Sequence, residues 1–178
     1  KVLAILRPYL DGVATYFYSR RQKVLFSSAW FQEKLASKVV KLQPDIVHLF
    51  WVNGGFLRIE TLKKFKQPIV WTLHDMWPFT GGCHYDDECG KFQQSCGSCP
   101  VLNSGHERDL SRRIWERKRK SWENVPIVVV ATSHWLADMA RSSSIFRDQR
   151  IEVIPNGIDT EIYKPGNKEA ARAVYNLP

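Results

Sequence analysis

No apolar run in this sequence approaches the ~20 residues that a membrane-spanning helix requires, and no secretory leader is visible at its start. There is no internal repeat and no low-complexity tract, which excludes solenoid and disordered architectures. No GxGxxG or GxxxxGK stretch occurs, so neither of those glycine-rich phosphate turns is present. No Ser-His-Asp spacing suggests a hydrolase. Cysteine is absent everywhere except between Cys83 and Cys99, which excludes a disulfide framework stapling the whole domain and points to a local site instead.

What is present suits a globular chain. Hydrophobic residues make up 44% of the 178 and charged residues 25%, enough for a packed core. The length fits one domain, or one domain and part of another. The chain begins with Lys1 and ends in a loop-like Asn176-Leu177-Pro178, so a fragment cut at both ends is expected. A net charge of +8 fits a solvated basic surface, an anionic membrane, a phosphorylated ligand or nucleic acid.

The hydrophobic pattern alternates between two periods. Residues 1–22 carry Leu3, Leu6, Leu10, Val13 and Phe17 at helical spacing, interrupted by Pro8 and Gly12. Residues 31–42 place Phe31, Leu35, Val39 and Leu42 on one helical face, stopped by Pro44. Residues 46–51 read as a buried strand that would hold His48 in the core. Asn53-Gly54-Gly55 turns the chain into a helix over 56–65. A second strand covers 69–73, and a long loop covers 75–107 with little apolar surface expected in it. A helix over 110–122 has the stripe Leu110, Ile114, Trp115 and Trp122, with either a Ser104/Glu107 capping box or Asp109 as cap. Strands over 127–131 and 151–154 bracket a helix capped by Thr132 and Ser133. Residues 155–166 read as a linker, and 167–175 as the start of another helix. The expected fold is α/β, a Rossmann-like parallel sheet with helices on both faces.

Ligands of such sheets bind beyond the carboxyl ends of the strands. Here those ends offer Asn53, Gly54 and Gly55, then His74 and Asp75, then Ser133, then Asn156-Gly157. Gly54 and Gly55 are read as letting backbone approach a ligand or as a plain turn. His74 is a candidate to bond a sugar hydroxyl or a reacting group, with Asp75 able to orient an imidazole. His134, in a first helical turn, is read as exposed.

The stretch IEVIPNGIDTEIYKP (151–165) resembles the segment joining the two halves of the family 4 retaining glycosyltransferases, and KEAARAVYNLP resembles the first helix of their second domain. DIVHLFWVNGGFL and PIVWTLHDMWPFTGGCHY resemble the subgroup of bacterial exopolysaccharide synthesis, including colanic-acid-type transferases. The resemblance runs from about Gln43 to Pro178. It implies a GT-B arrangement of two Rossmann-like domains, with residues 1–154 as the acceptor-side domain and 155–178 as linker and start of the nucleotide-sugar-binding domain. It implies that the first strand, its glycine-rich turn and the donor domain are missing, so the fragment alone is inactive. It places His74 as the histidine that contacts the donor sugar at the reacting centre; Asn53, Gly54, Gly55, Asp75 and Ser133 are candidate contacts by position. The donor is a nucleotide-sugar, the acceptor a glycan or lipid-linked acceptor, and no divalent metal is needed for the reaction.

Cys83, Cys89, Cys96 and Cys99 follow the spacing C-x5-C-x6-C-x2-C. The Cys96/Cys99 half suits a metal knuckle, while the Cys83/Cys89 half is wider than usual. Free thiols and two disulfides compete with a structural zinc site that would fix the loop, and zinc is the reading taken. His84 is a substitute ligand, or faces the cleft or solvent. Residues 108–120 carry seven Lys or Arg and suit either a solvated face or docking to an anionic membrane, with a cytoplasmic chain peripheral to the inner face of the cell membrane. The competing function classes are a metal-stabilised binding module and a catalytically dead scaffold; nucleic acid is not expected as a partner, because Trp115 and Trp122 sit at core spacing.

Overall fold

The computed structural model describes residues 2–32 and 34–178, with the side chains of residues 2–4 left aside. Lys1 and Glu33, which fall within two of the helices expected from the sequence, lie outside the described residues. Helix α1 spans Val2–Gly12 and runs into a 3₁₀ turn, Val13–Phe17. After α2 (Leu35–Leu42) comes the short strand β1 (Val47–Leu49). A 3₁₀ segment Ile59–Lys64 leads to β2 (Ile69–Leu73). Helix α3 (Leu110–Trp122) then precedes β3 (Ile127–Ala131), α4 (His134–Ser142), β4 (Arg150–Val153) and α5 (Lys168–Val174).

The four strands form one sheet in the order β1-β2-β3-β4, and every pairing is parallel. Leu73 at the end of β2 pairs with Ala131 at the end of β3, so their carboxyl ends lie side by side on one rim. Parallel neighbours require crossover connections, here helical or long. The apolar letters of β2 and β3 follow from burial: Ile69, Trp71, Leu73, Ile127, Val129 and Ala131 are almost inaccessible. The Rossmann-like α/β class expected from the alternating pattern is therefore the fold observed.

The core is unusually aromatic. Trp71 meets Trp122 edge-on at 5.4 Å and Phe146 at 6.1 Å, while Phe79 packs on Phe92 at 5.5 Å. Edge-to-face pairs of this kind add a fraction of a kcal/mol to about 1.5 kcal/mol beyond area burial.

Several expectations need correction. The helix read over 56–65 is a 3₁₀ segment from Ile59 to Lys64, entered from an extended Arg58 and left through an extended Phe65. Its apolar residues Ile59 and Leu62 are nonetheless fully buried. The first strand is shorter than read, and His48 is exposed rather than core, because β1 is the edge strand of the described sheet. The segment 75–107 is not poor in apolar surface. Trp77, Phe79, Phe92, Val101 and Leu102 are all buried within it, so it contributes its own share of the core.

Candidate functional site

The site grows from the end of β2. Leu73 is buried, His74 is exposed, and Asp75 is buried again, the alternation a strand imposes as it runs out of the sheet. Asp75 then organises the turn that follows. Its Oδ1 accepts the Trp77 backbone N–H at 2.9 Å, and its Oδ2 receives Nδ1 of His84 at 2.6 Å and, more distantly, Nδ2 of Asn53 at 3.5 Å. His84 Nε2 lies 3.1 Å from Ser27 Oγ. Ser27, His84 and Asp75 thus form a buried chain of polar groups, tied further by Trp77 Nε1 donating to the Ser27 carbonyl at 2.8 Å and the Met76 N–H donating to the His84 carbonyl at 2.9 Å. Both nitrogens of His84 are engaged, so this imidazole holds the wall of the site in place.

His74 stands differently. Its ring lies 6.3 Å from Phe50, and it opens onto a cavity of about 520 Å³ that also reaches Trp51, His84 and Tyr85. The structure therefore brings His74, Asp75 and Asn53 to one rim, with His84 behind them. The reading of His84 as facing cleft or solvent holds only in that its edge lines this cavity, since the side chain is buried.

The remaining candidates have visible local duties. Gly54 and Gly55 adopt φ of 60° and 73°. A Cβ on Gly55 would come within 2.9 Å of the Arg7 carbonyl, so the close approach this glycine permits is that of α1. Ser133 caps α4 by accepting the Leu136 N–H at 3.2 Å. Asn53 is buried, and its Oδ1 has no hydrogen-bond partner among the described residues. Asp109, rather than a Ser104/Glu107 box, caps α3: its Oδ1 accepts from Arg112 N–H and from Ser111 Oγ, and its Oδ2 accepts the Cys99 N–H.

Lys118 is the residue that pattern reading misplaced. It sits on the buried stripe of α3 between Ile114 and Trp122 and is wholly inaccessible. Its ammonium lies 3.7 Å from the centre of the Trp77 ring and donates to the carbonyls of Trp77 and Thr80. One lysine thereby pins both ends of the turn that follows His74-Asp75. Burial drives its pKa down from 10.5 to about 7.

Arg117 turns inward as well. It bonds Glu60 through Nε at 2.8 Å and Nη2 at 3.0 Å, and reaches the carbonyls of Ser28 and Ala29 at 3.1 Å. Burial alone would raise the Glu60 carboxyl; the Arg117 guanidinium, helped by Arg58, overrides this and holds it at about 2. Of the seven bases in 108–120, Lys118 and Arg117 are thus committed to the interior, and Arg112 is drawn to the Glu107 carbonyl. Arg108, Arg113, Arg119 and Lys120 remain exposed.

The four cysteines are unpaired; Cys83, Cys96 and Cys99 are buried and Cys89 is half-buried. Burial is the leading cause that pushes all four thiols up, Cys96 to about 12. Each of three sulfurs also receives backbone N–H groups: Cys89 from Lys91, Cys96 from Gly81, and Cys99 from Val101 and Leu102. Between Cys96 and Cys99, Gly97 and Ser98 hold φ of 138° and 41°, a tight turn. Among the described residues, no group of three or more His, Cys, Asp or Glu side chains has the arrangement of a metal site.

A parallel Rossmann-like sheet with polar residues gathered at its carboxyl rim defines a Rossmann-like α/β domain, with His74 at the mouth of a cavity. The chain belongs to glycosyltransferase family 4, whose model matches residues 6–162. WcaC of Escherichia coli strain K12, whose name describes it as a colanic acid biosynthesis glycosyl transferase, is 30% identical over 129 residues, covering 67% of this chain and 31% of that protein. The chain thus spans about a third of the length of that relative. No solved structure matches it. No helix among the described residues is long and apolar enough to cross a membrane.

Proposed function

We propose that this chain is the acceptor-side domain of a retaining GT-B glycosyltransferase, a hexosyltransferase of bacterial exopolysaccharide synthesis. It would move a sugar from a nucleotide-sugar donor to a glycan or lipid-linked acceptor, with residues 155–178 leading into the donor domain. The observation that carries this reading is His74: an exposed imidazole at the carboxyl end of a central parallel strand, at the mouth of a cavity, in a family 4 chain. The relative's name supports the exopolysaccharide assignment.

In this reading His74 contacts the donor sugar where the bond breaks, and the protein chiefly positions groups and stabilises developing charge. Asp75, Asn53 and the Gly54-Gly55 turn set the wall beside it, and Ser133 presents the start of α4. The chain alone would leave the donor unbound and so be inactive. In the complete enzyme, His74→Ala should lower transfer by about 10²-fold or more without loss of stability, since the side chain is exposed. Unchanged transfer would return His74 to a structural role, and turnover of a nucleotide-sugar by the isolated chain would refute the division of labour.

Two accessory proposals accompany it. A structural zinc ion held by Cys83, Cys89, Cys96 and Cys99 is supported by their spacing and by the N–H groups aimed at three of the sulfurs. It would require the four side chains to draw together from the positions they hold here, and the loop's own apolar core removes the need for a metal to offset its ordering. Docking to an anionic membrane at the inner face of the cell would rest on the outward bases Arg108, Arg113, Arg119 and Lys120.

A further inference from the structure

The cavity at His74 has a distinctive chemistry. Its volume of about 520 Å³ falls within the range of small-molecule sites, about 300–1,000 Å³. Among the described residues no lysine or arginine lines it, whereas Asp75 and Asp87 do. In a chain of net charge +8 that exclusion matters. A phosphate or diphosphate placed there would face two acidic residues and find no cation among the described residues that line it. The occupant is therefore neutral or nearly so.

The walls say more. Val24, Leu25 and Val101 offer apolar surface, and two aromatic rings stand half exposed beside them, Trp51 at 52% and Tyr85 at 57%. Trp51 is backed by the His84 ring at 6.0 Å, which Asp75 holds. Tyr85 is stacked on Trp135 at 6.3 Å with 28° between planes. Each ring thus has an aromatic neighbour beside it. Around them stand hydrogen-bonding groups that suit hydroxyls: the Asp87 carboxylate, fixed by Gln22 Nε2 at 3.0 Å, and the exposed imidazole of His74. A pyranose matches this arrangement, because its axial C–H face is apolar and its rim is all hydroxyl.

We propose that this cavity is a subsite for an uncharged hexopyranose at the acceptor end, with the sugar ring lying against the aromatic platform of Trp51 and Tyr85 and its reacting hydroxyl toward His74. The assignment rests on the glycosyltransferase reading and narrows it: the sugar of the acceptor, and no phosphate of donor or lipid carrier, occupies this side of the cleft. Trp51 is then a specificity-determining residue and Asp75–His84 its support.

The test is saturation-transfer NMR on the complete protein that carries this chain, with neutral methyl hexopyranosides as probes and inorganic pyrophosphate as competitor. Ring C–H protons of at least one glycoside should receive saturation. The signal should fall about fivefold in Trp51→Ala, a loss of one stacking contact, and be kept in Trp51→Phe. Pyrophosphate should leave it unchanged. Because Trp51 is half exposed, the variant should retain the near-ultraviolet circular dichroism of a folded chain apart from the one indole. Absence of transfer from every glycoside, an Ala variant that behaves as wild type, or displacement by pyrophosphate would each overturn the subsite. A transfer assay with nucleotide-sugars on the same protein separates the two readings. Turnover that is insensitive to Trp51→Ala sinks the subsite and leaves the enzyme. Glycoside binding that needs Trp51, in a protein that turns over no nucleotide-sugar, supports the subsite and refutes the enzyme.

Discussion

Asp75 and His84 are separated by nine positions in the chain, and their side chains meet at 2.6 Å with both buried. That contact closes the turn carrying Trp77, Phe79 and the Gly81-Gly82 pair onto the end of β2. Removing one partner of a buried pair costs about 3–5 kcal/mol when it strands a charge. His84→Ala should approach the lower end of that range, since Asp75 keeps the Trp77 N–H. His84→Gln, which can still donate to Asp75, should lose about 1–2 kcal/mol. Urea denaturation of the three proteins measures this, and equal losses for Ala and Gln would assign the effect to packing and not to the bond.

Lys118 should write a signature into stability against pH. Its folded pKa of about 7 lies below its ordinary 10.5, so between these values the unfolded chain binds the extra proton. Stability should therefore rise with pH above 7, by up to about 1.4 kcal/mol per unit. In the metal-free chain the buried thiols act oppositely. Cys96 is raised from 9.0 to about 12 and Cys83 is raised too, so above pH 9 the unfolded chain releases protons that the fold retains. Maximum stability is expected between about pH 8 and 9. Lys118→Met should abolish the rise, and a persisting rise would remove Lys118 as its cause.

Glu60 governs the acid side. Its carboxyl is held at about 2 against an ordinary 4.5, so its contribution is complete above 4.5 and is lost as pH falls toward 2. Partial exposure of the Arg117–Glu60 pair screens the effect to about 1–2 kcal/mol. Glu60→Gln should be less stable than wild type at pH 6 and converge with it near pH 2. Parallel curves would show that the ion pair contributes nothing.

The cysteine loop is decided by elemental analysis. Protein purified without chelator should hold about one zinc per chain, as a single tetrahedral site requires, and the Cys96→Ser/Cys99→Ser variant should lose it. Four titratable thiols with no metal would refute the site and leave the loop to its aromatic core.

The sheet was readable because β2 and β3 are runs of β-branched and other apolar residues opened by Pro68 and Pro126, and strands so nearly buried leave little freedom in their letters. The rim followed from topology alone. Lys118 was not readable in the same way. It occupies the stripe Ile114, Lys118, Trp122 at the right spacing, but a lysine amid Arg117, Arg119 and Lys120 carries no mark of burial. Only the carbonyls of Trp77 and Thr80, some forty residues away, make the position tolerable. His84 poses the same difficulty: its partners Asp75 and Ser27 come from two separate segments. The 3₁₀ segment Ile59–Lys64 differs from the helix expected there because helical spacing of Ile59 and Leu62 satisfies either winding over so short a length.

The segment 75–107 has almost no regular structure, yet Trp77, Phe79 and Phe92 are among the least accessible side chains of the molecule. Every residue from Ile154 to Pro178, α5 included, is exposed. A protease needs a stretch of backbone that can be pulled into its cleft. The long loop, anchored by its own aromatics and by Lys118, resists that extraction, while 155–166 offers itself. Limited digestion would therefore cut the chain within 155–166 and leave the cysteine-rich loop whole.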